Sequence, residues 1–267
     1  MNLEGLSCRY QRSGSGPALV LVHGLMGYSF SWRHAIPALA QQATVYALDL
    51  PGTGLSDHSR DLDCSLAASA TRLLEFMHKV GIASCDLLGT SHGGAVAMMA
   101  AILAPQSVRR LILVAPANPW STHGRFLIPF LSNPMVAPLF LQLAPRLRIL
   151  QEFYFRRLFG DTRRIRPGTL EGYLAAMRTR ASFEYGLGVL RTWKQDMQRL
   201  QLTLPAIAHI PTLLIWGDRD AAVDPASAHV LEAQFQSCRL LMLEGIGHLP
   251  YEEVPEEFNQ AVALFLS

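Results

Sequence analysis

The sequence predicts an α/β fold, a mostly parallel sheet with helices on both faces, and three observations carry that prediction. Short apolar runs alternate with longer stretches of helical pattern, the rhythm of strands joined by crossover helices. Most of the runs have Gly, Pro or Asp close by, residues that end strands and start turns. The rhythm stops after Ala117 and resumes at Pro211, which marks a long segment of different construction.

In chain order, the expected strands are Ala18 to Val22, Thr44 to Leu48, Asp86 to Leu88, Arg110 to Val114, Thr212 to Trp216 and Arg239 to Leu243. Most are rich in aliphatic or β-branched residues, as strands buried on both faces require. Between them, Leu66 to Val80, Gly93 to Leu103, Ala226 to Gln236 and Pro255 to Leu266 read as helices, with Pro225 and Pro255 placed where a helix start tolerates proline. From Asn118 to Pro205 there are helical stretches and prolines but no strand pattern. The expected organisation is therefore an α/β core in two parts, residues 1–117 and 206–267, with residues 118–205 as an all-helical cap over the carboxyl edge of the sheet.

At 267 residues, half of them hydrophobic and 16% charged, the chain can bury a substantial core, which excludes intrinsic disorder. A net charge of +2 is too balanced to point to a dedicated nucleic-acid binder, and no nucleic-acid partner is expected. The charge is unevenly placed: residues 118–205 hold 13 Arg or Lys against 5 Asp or Glu, so the helical segment is +8 and the remainder −6. That basic segment suits an anionic substrate, an anionic membrane surface or simply a solvated face. Cys8, Cys64, Cys85 and Cys238 lie far apart with no C-x-x-C pair, which argues for a reducing compartment and against a zinc knuckle. The residues from Met1 to Arg12 lack the pattern of a secretory leader, and we expect a cytoplasmic protein. The run from Phe126 to Pro145 is uncharged and largely apolar, but Pro129, Pro134, Pro138 and Pro145 divide it, so no membrane-spanning helix is expected. Its apolar residues, Leu127, Phe130, Met135 and Phe140 among them, are candidates either for lining an acyl or aryl pocket or for packing the cap on the core.

In open sheets ligands bind beyond the carboxyl ends of the strands, so the loops there are where chemistry is expected. Gly89-Thr90-Ser91-His92-Gly93 lies between a strand and a helix. A serine in so sharp a turn is forced into a strained backbone conformation, with its hydroxyl clear of the sheet at a helix N-terminus. Such a hydroxyl is a weak nucleophile without a base, and the base needs a partner to set its tautomer. His248, in the glycine-flanked Gly245-Ile246-Gly247-His248 loop after the last strand, is the candidate base. Asp220, in Trp216-Gly217-Asp218-Arg219-Asp220, is the candidate acid, with Asp218 and Asp224 as alternatives that also suit turn or helix capping. Acyl transfer also needs backbone donors for an oxyanion. The N–H of His92 and that of Leu25, in His23-Gly24-Leu25-Met26-Gly27, are the candidates, with His23 read as structural.

These segments, together with D-L-P-G-T-G-L-S at 49–56 and G-H-L-P at 247–250, resemble the α/β-hydrolase family in content and order along essentially the whole chain. The resemblance implies an eight-stranded, mostly parallel sheet, a helical cap after the sixth strand, and neither metal nor organic cofactor. Serine at position 91 sets the chain apart from epoxide hydrolases and haloalkane dehalogenases, which use a carboxylate there. An ester or thioester hydrolase acting on a small to medium, largely apolar substrate is the expected function, in a monomer or small homo-oligomer. The alternative is a carbon–carbon bond hydrolase of aromatic ring-cleavage products, although Thr90 and Leu249 depart from the asparagine and tryptophan of that group. A cofactor-free perhydrolase or haloperoxidase, or a ligand receptor on the same fold, are further readings.

Overall fold

A computed structural model describes residues 1–177 and 179–267. Its main sheet is built from β3 (Tyr10–Ser13), β4 (Ala18–Val22), β5 (Thr44–Leu48), β6 (Cys85–Thr90), β7 (Val108–Val114), β8 (Thr212–Gly217) and β9 (Cys238–Leu243), in spatial order β3-β5-β4-β6-β7-β8-β9. All neighbours are parallel except β3, which pairs antiparallel with β5 along Tyr10↔Leu48 to Ser13↔Val45. The sheet thus has seven strands where the resemblance implies eight. The first residues form a separate hairpin instead, β1 (Asn2–Leu3) with β2 (Leu6–Ser7), turned through Glu4 and Gly5 at φ 50 and 84°. Leu3 is fully buried in the core, which anchors the hairpin.

Alternation along each strand builds two apolar layers, because successive side chains point to opposite faces. Val20 and Val22 of β4 join Leu73 and Phe76 of α2 (Leu66–Lys79; α1 is Ile36–Leu39) and the interior of α3 (His92–Leu103). Leu19 and Leu21 face Leu39 of α1 and Phe258 and Val262 near the C-terminus. Helix α3 is buried on every side from His92 to Ala101, which its run of Gly, Ala, Val and Met permits.

Between β7 and β8 the described residues hold only helices: α4 (Leu127–Ser132), α5 (Ala137–Leu143), α6 (Arg148–Arg156), α7 (Thr169–Ala176) and α8 (Arg180–Thr203), besides short 3₁₀ turns. The apolar run at 126–145 is broken between α4 and α5 at Asn133-Pro134, and no helix among the described residues is long and apolar enough to cross a membrane. After β8 come α9 (Ala226–Glu232), α10 (Pro250–Glu253) and α11 (Pro255–Leu266). All four cysteines are unpaired.

The chain runs from β4 outward to β5 and then back across β4 to β6. Strand order therefore reverses between β4 and β6, and the crevice at their carboxyl ends is where doubly wound sheets place ligands.

Candidate active site

Ser91 sits directly after β6 at φ 53° and ψ −125°, a conformation that side-chain-bearing residues rarely adopt. The flanking glycines make the turn sterically feasible. A Cβ on Gly89 would stand 2.4 Å from the carbonyl oxygen of Gly93, and one on Gly93 would stand 2.2 Å from that of His23. The strain is shared locally. Of the four non-glycine residues at positive φ among the described residues, three (Met26, Ser91 and Ala115) lie just past β4, β6 and β7. Each costs on the order of 1–3 kcal/mol and persists only where surrounding contacts hold it. Here the Ser91 N–H donates to the Val114 carbonyl at 2.9 Å, and the Ala117 N–H returns to the Ser91 carbonyl at 2.9 Å.

The loop after β4 stands over this turn, since a Cβ on Gly24 would lie 3.1 Å from the Ser91 Cβ. A Gly27 N–H to Gly24 carbonyl bond of 3.0 Å closes the loop around Met26. Among the described residues, neither the Leu25 N–H nor the His92 N–H donates to another protein atom, so both remain free to receive an anion at the start of α3. His23 holds the loop from beneath. Its Nε2 accepts the Leu50 N–H at 3.3 Å and its Nδ1 faces the Gly24 carbonyl at 2.9 Å, which together fix a neutral Nδ1–H tautomer. Burial also lowers its pKa. The His92 ring is buried too, and burial together with the nearby His23 holds its pKa down to about 4. The 49–56 segment is a scaffold for the same region: buried Asp49 accepts the N–H groups of Ser29 (2.7 Å) and Leu55 (3.1 Å).

Asp220 and His248 meet at the ends of β8 and β9. The Asp220 Oδ2 lies 2.7 Å from His248 Nδ1, with both side chains buried. The other oxygen, Oδ1, accepts from Ala222 and Val223 at 2.7 and 2.9 Å, so the carboxylate is fully committed. Asp218 and Asp224 do other work. Asp218 accepts the Gly245 N–H at 2.7 Å, and Asp224 accepts the Ala226 N–H at 3.0 Å, at the start of α9.

A residue that sequence reasoning missed is Glu253. Its side chain is sealed from solvent, yet it accepts three backbone N–H groups, from Gly247 (2.7 Å), Gly160 (3.0 Å) and Asp161 (3.2 Å). The His248 N–H itself donates to the Leu158 carbonyl at 2.7 Å. The histidine loop is thereby clamped onto residues 158–161, and a Cβ on Gly247 would collide with the Leu158 oxygen at 2.3 Å. No local pattern announces such a residue. The only signal is an acidic pair, Glu252-Glu253, inside an apolar neighbourhood.

A model of the α/β hydrolase fold matches residues 17–255. The chain belongs to the α/β-hydrolase family. Relatives of this hydrolase include a pimeloyl-[acyl-carrier protein] methyl ester esterase of Aeromonas hydrophila, 30% identical over 98% of this chain and 100% of that one. An uncharacterised protein of Mycobacterium tuberculosis is 30% identical over 99% of this chain and 79% of its own length. Among solved structures, a membrane phospholipase A described as a bacterial virulence factor superposes with a TM-score of 0.82 at 28% identity, covering 100% of this hydrolase and 84% of that chain.

Proposed function

We propose that this α/β-hydrolase cleaves a carboxylic ester, or a thioester, through a Ser91–His248–Asp220 triad and an acyl-enzyme. The observation that carries the reading is the buried 2.7 Å His248–Asp220 hydrogen bond, which orients one ring nitrogen and leaves Nε2 as the base. Ser91 attacks the carbonyl carbon and passes its proton to His248. The Leu25 and His92 N–H groups donate hydrogen bonds to the oxyanion, one such donor being worth about 10²–10³ in turnover. His248 then protonates the leaving alcohol, and water, deprotonated in turn, releases the acid. The similarity to a methyl ester esterase supports an ester over a carbon–carbon bond.

Residues 118–205 act in this reading as the cap. Its helix α8 closes on the oxyanion loop, where a Cβ on Gly186 would lie 3.0 Å from the Met26 sulfur. Leu25, Leu62 and Trp193 pack partly buried around Tyr185 and Val189, an apolar wall beside the proposed oxyanion hole that suits an apolar acyl group. The test is hydrolysis of a p-nitrophenyl ester series, from acetate to long chains. Ser91→Ala is expected to lower turnover by about 10⁴–10⁶, and the chain-length optimum sizes the acyl site. Full activity in Ser91→Ala would overturn the mechanism. No ester turnover by wild type, with turnover of a dienoate ring-cleavage product instead, would move the reading to carbon–carbon cleavage.

A further inference from the structure

Sixteen large hydrophobic residues are exposed among the described residues, and eleven of them lie between 126 and 154. Phe126 is 93% exposed, Met135 89%, Ile149 82% and Phe153 60%. Some aromatic side chains of the helical segment are covered within that segment: Phe140 packs edge-on against Phe183 at 5.8 Å, and Phe155 is buried against Tyr173. What remains along α4, α5 and α6 is a series of uncovered apolar side chains, far more concentrated in the chain than the scattered exposure normal for a protein surface.

The charges around these side chains restrict what covers them. Arg125, Arg146, Arg148, Arg156 and Arg157 are exposed in or beside these helices. The one acidic residue among them, Glu152, is paired with Arg148 at 2.7 Å. A second copy meeting these helices through the same segment would bring two segments of +8 together, whereas exposed arginines interspersed along the chain with exposed Phe, Ile, Leu and Met match headgroup anions above an acyl layer. We propose that α4–α6 form a docking face for an anionic lipid surface. The apolar side chains enter the headgroup–acyl boundary and the arginines engage lipid phosphates. Helix α6 runs on into residues 158–161, the segment to which the His248 loop is clamped, so docking sets the cap's edge against the lipid beside the proposed site. The substrate class is then a lipid ester drawn from that surface, a step that rests on the ester-hydrolase reading.

The experiment is co-sedimentation of the full chain with phosphatidylcholine vesicles, with and without phosphatidylglycerol. Binding is expected to be at least about tenfold stronger to the anionic vesicles and to weaken in high salt. The triple variant Phe126→Ser/Ile149→Ser/Phe153→Ser is expected to bind at least about tenfold less, with an unchanged circular dichroism spectrum and unchanged hydrolysis of a short, water-soluble ester. Arg146→Gln/Arg156→Gln/Arg157→Gln is expected to lose the preference for anionic vesicles. Equal binding to both vesicle types, vesicle binding by the triple serine variant equal to wild type, or a wild-type dimer that this variant makes monomeric would each overturn the proposal. Ser91→Ala is expected to bind vesicles as wild type does. Binding thus reads the docking face alone, and loss of esterase activity with Ser91 reads the catalytic assignment alone.

Discussion

His92 follows the proposed nucleophile, and its ring is sealed inside the core. Its pKa falls from 6.5 to about 4, with burial the larger cause and the neighbouring His23 the smaller. The unfolded chain takes up this proton near pH 6.5 and the folded chain does not. The stability that neutral His92 contributes is therefore present above pH 6.5 and is lost as pH falls toward 4. The shift corresponds to about 3 kcal/mol across that window. Urea unfolding of wild type and His92→Asn at several pH values between these limits checks it. We expect a shallower dependence in the variant, and parallel curves would count against the assignment.

At the scale of elements, the site depends on strand ends and loops approaching one another more closely than a side chain allows. A Cβ on Gly217, the last residue of β8, would lie 2.2 Å from the carbonyl oxygens of both Ile246 and Gly247. Gly217→Ala must therefore push the His248 loop away from Asp220. We expect a loss of stability of about 1–3 kcal/mol and, separately, a fall in kcat of about 10²-fold. Denaturant unfolding and ester kinetics on the same preparation separate the two. A variant destabilised but with wild-type kcat would show that the loop's position does not govern the chemistry.

Across the whole molecule, the proposed cap is joined to the core by hydrogen bonds to an ion pair that the core supplies, its carboxylate buried and its arginine partly so. Arg33 engages Glu252 through two hydrogen bonds of 2.5 and 2.7 Å. From the helical segment, Thr169 accepts from the same arginine at 2.8 Å and Tyr173 donates to Glu252 at 2.8 Å. Glu252 is 1% exposed, so Arg33→Ala leaves a buried carboxylate without its partner. The expected cost is about 3–5 kcal/mol, measured by denaturant unfolding. Adding Glu252→Gln is expected to recover part of it, and strictly additive losses would contradict the pairing. Burial, outweighing Arg33, raises the Glu252 pKa above its ordinary 4.5. The folded state thus holds this proton more tightly than the unfolded state. Its contribution is full below pH 4.5 and declines as pH rises through the folded value, a decline that Glu252→Gln is expected to lack.

The strands that form the sheet's centre were legible because each is a contiguous apolar run bounded by turn residues; β4 and β5 match the expected limits residue for residue. Ser91, Asp220 and His248 were legible as candidates because each follows a strand closely and carries the right functional group for its loop. The polar edge strand Tyr10–Ser13 was not, since its Y-Q-R-S sequence has no apolar run and only pairing with β5 makes it a strand. Nor was Glu253 legible, whose three N–H partners include two from residues more than ninety positions away. The sequence by itself determined the apolar strands of the sheet, the helices around them and which residues carry reactive groups, because those are properties of neighbours along the chain. Only the tertiary structure decided the strand order, the clamp on His248, the Arg33–Glu252 bridge and which apolar side chains were left outside. Each of these depends on which surfaces meet once the loops have closed, and no stretch of neighbouring residues encodes it.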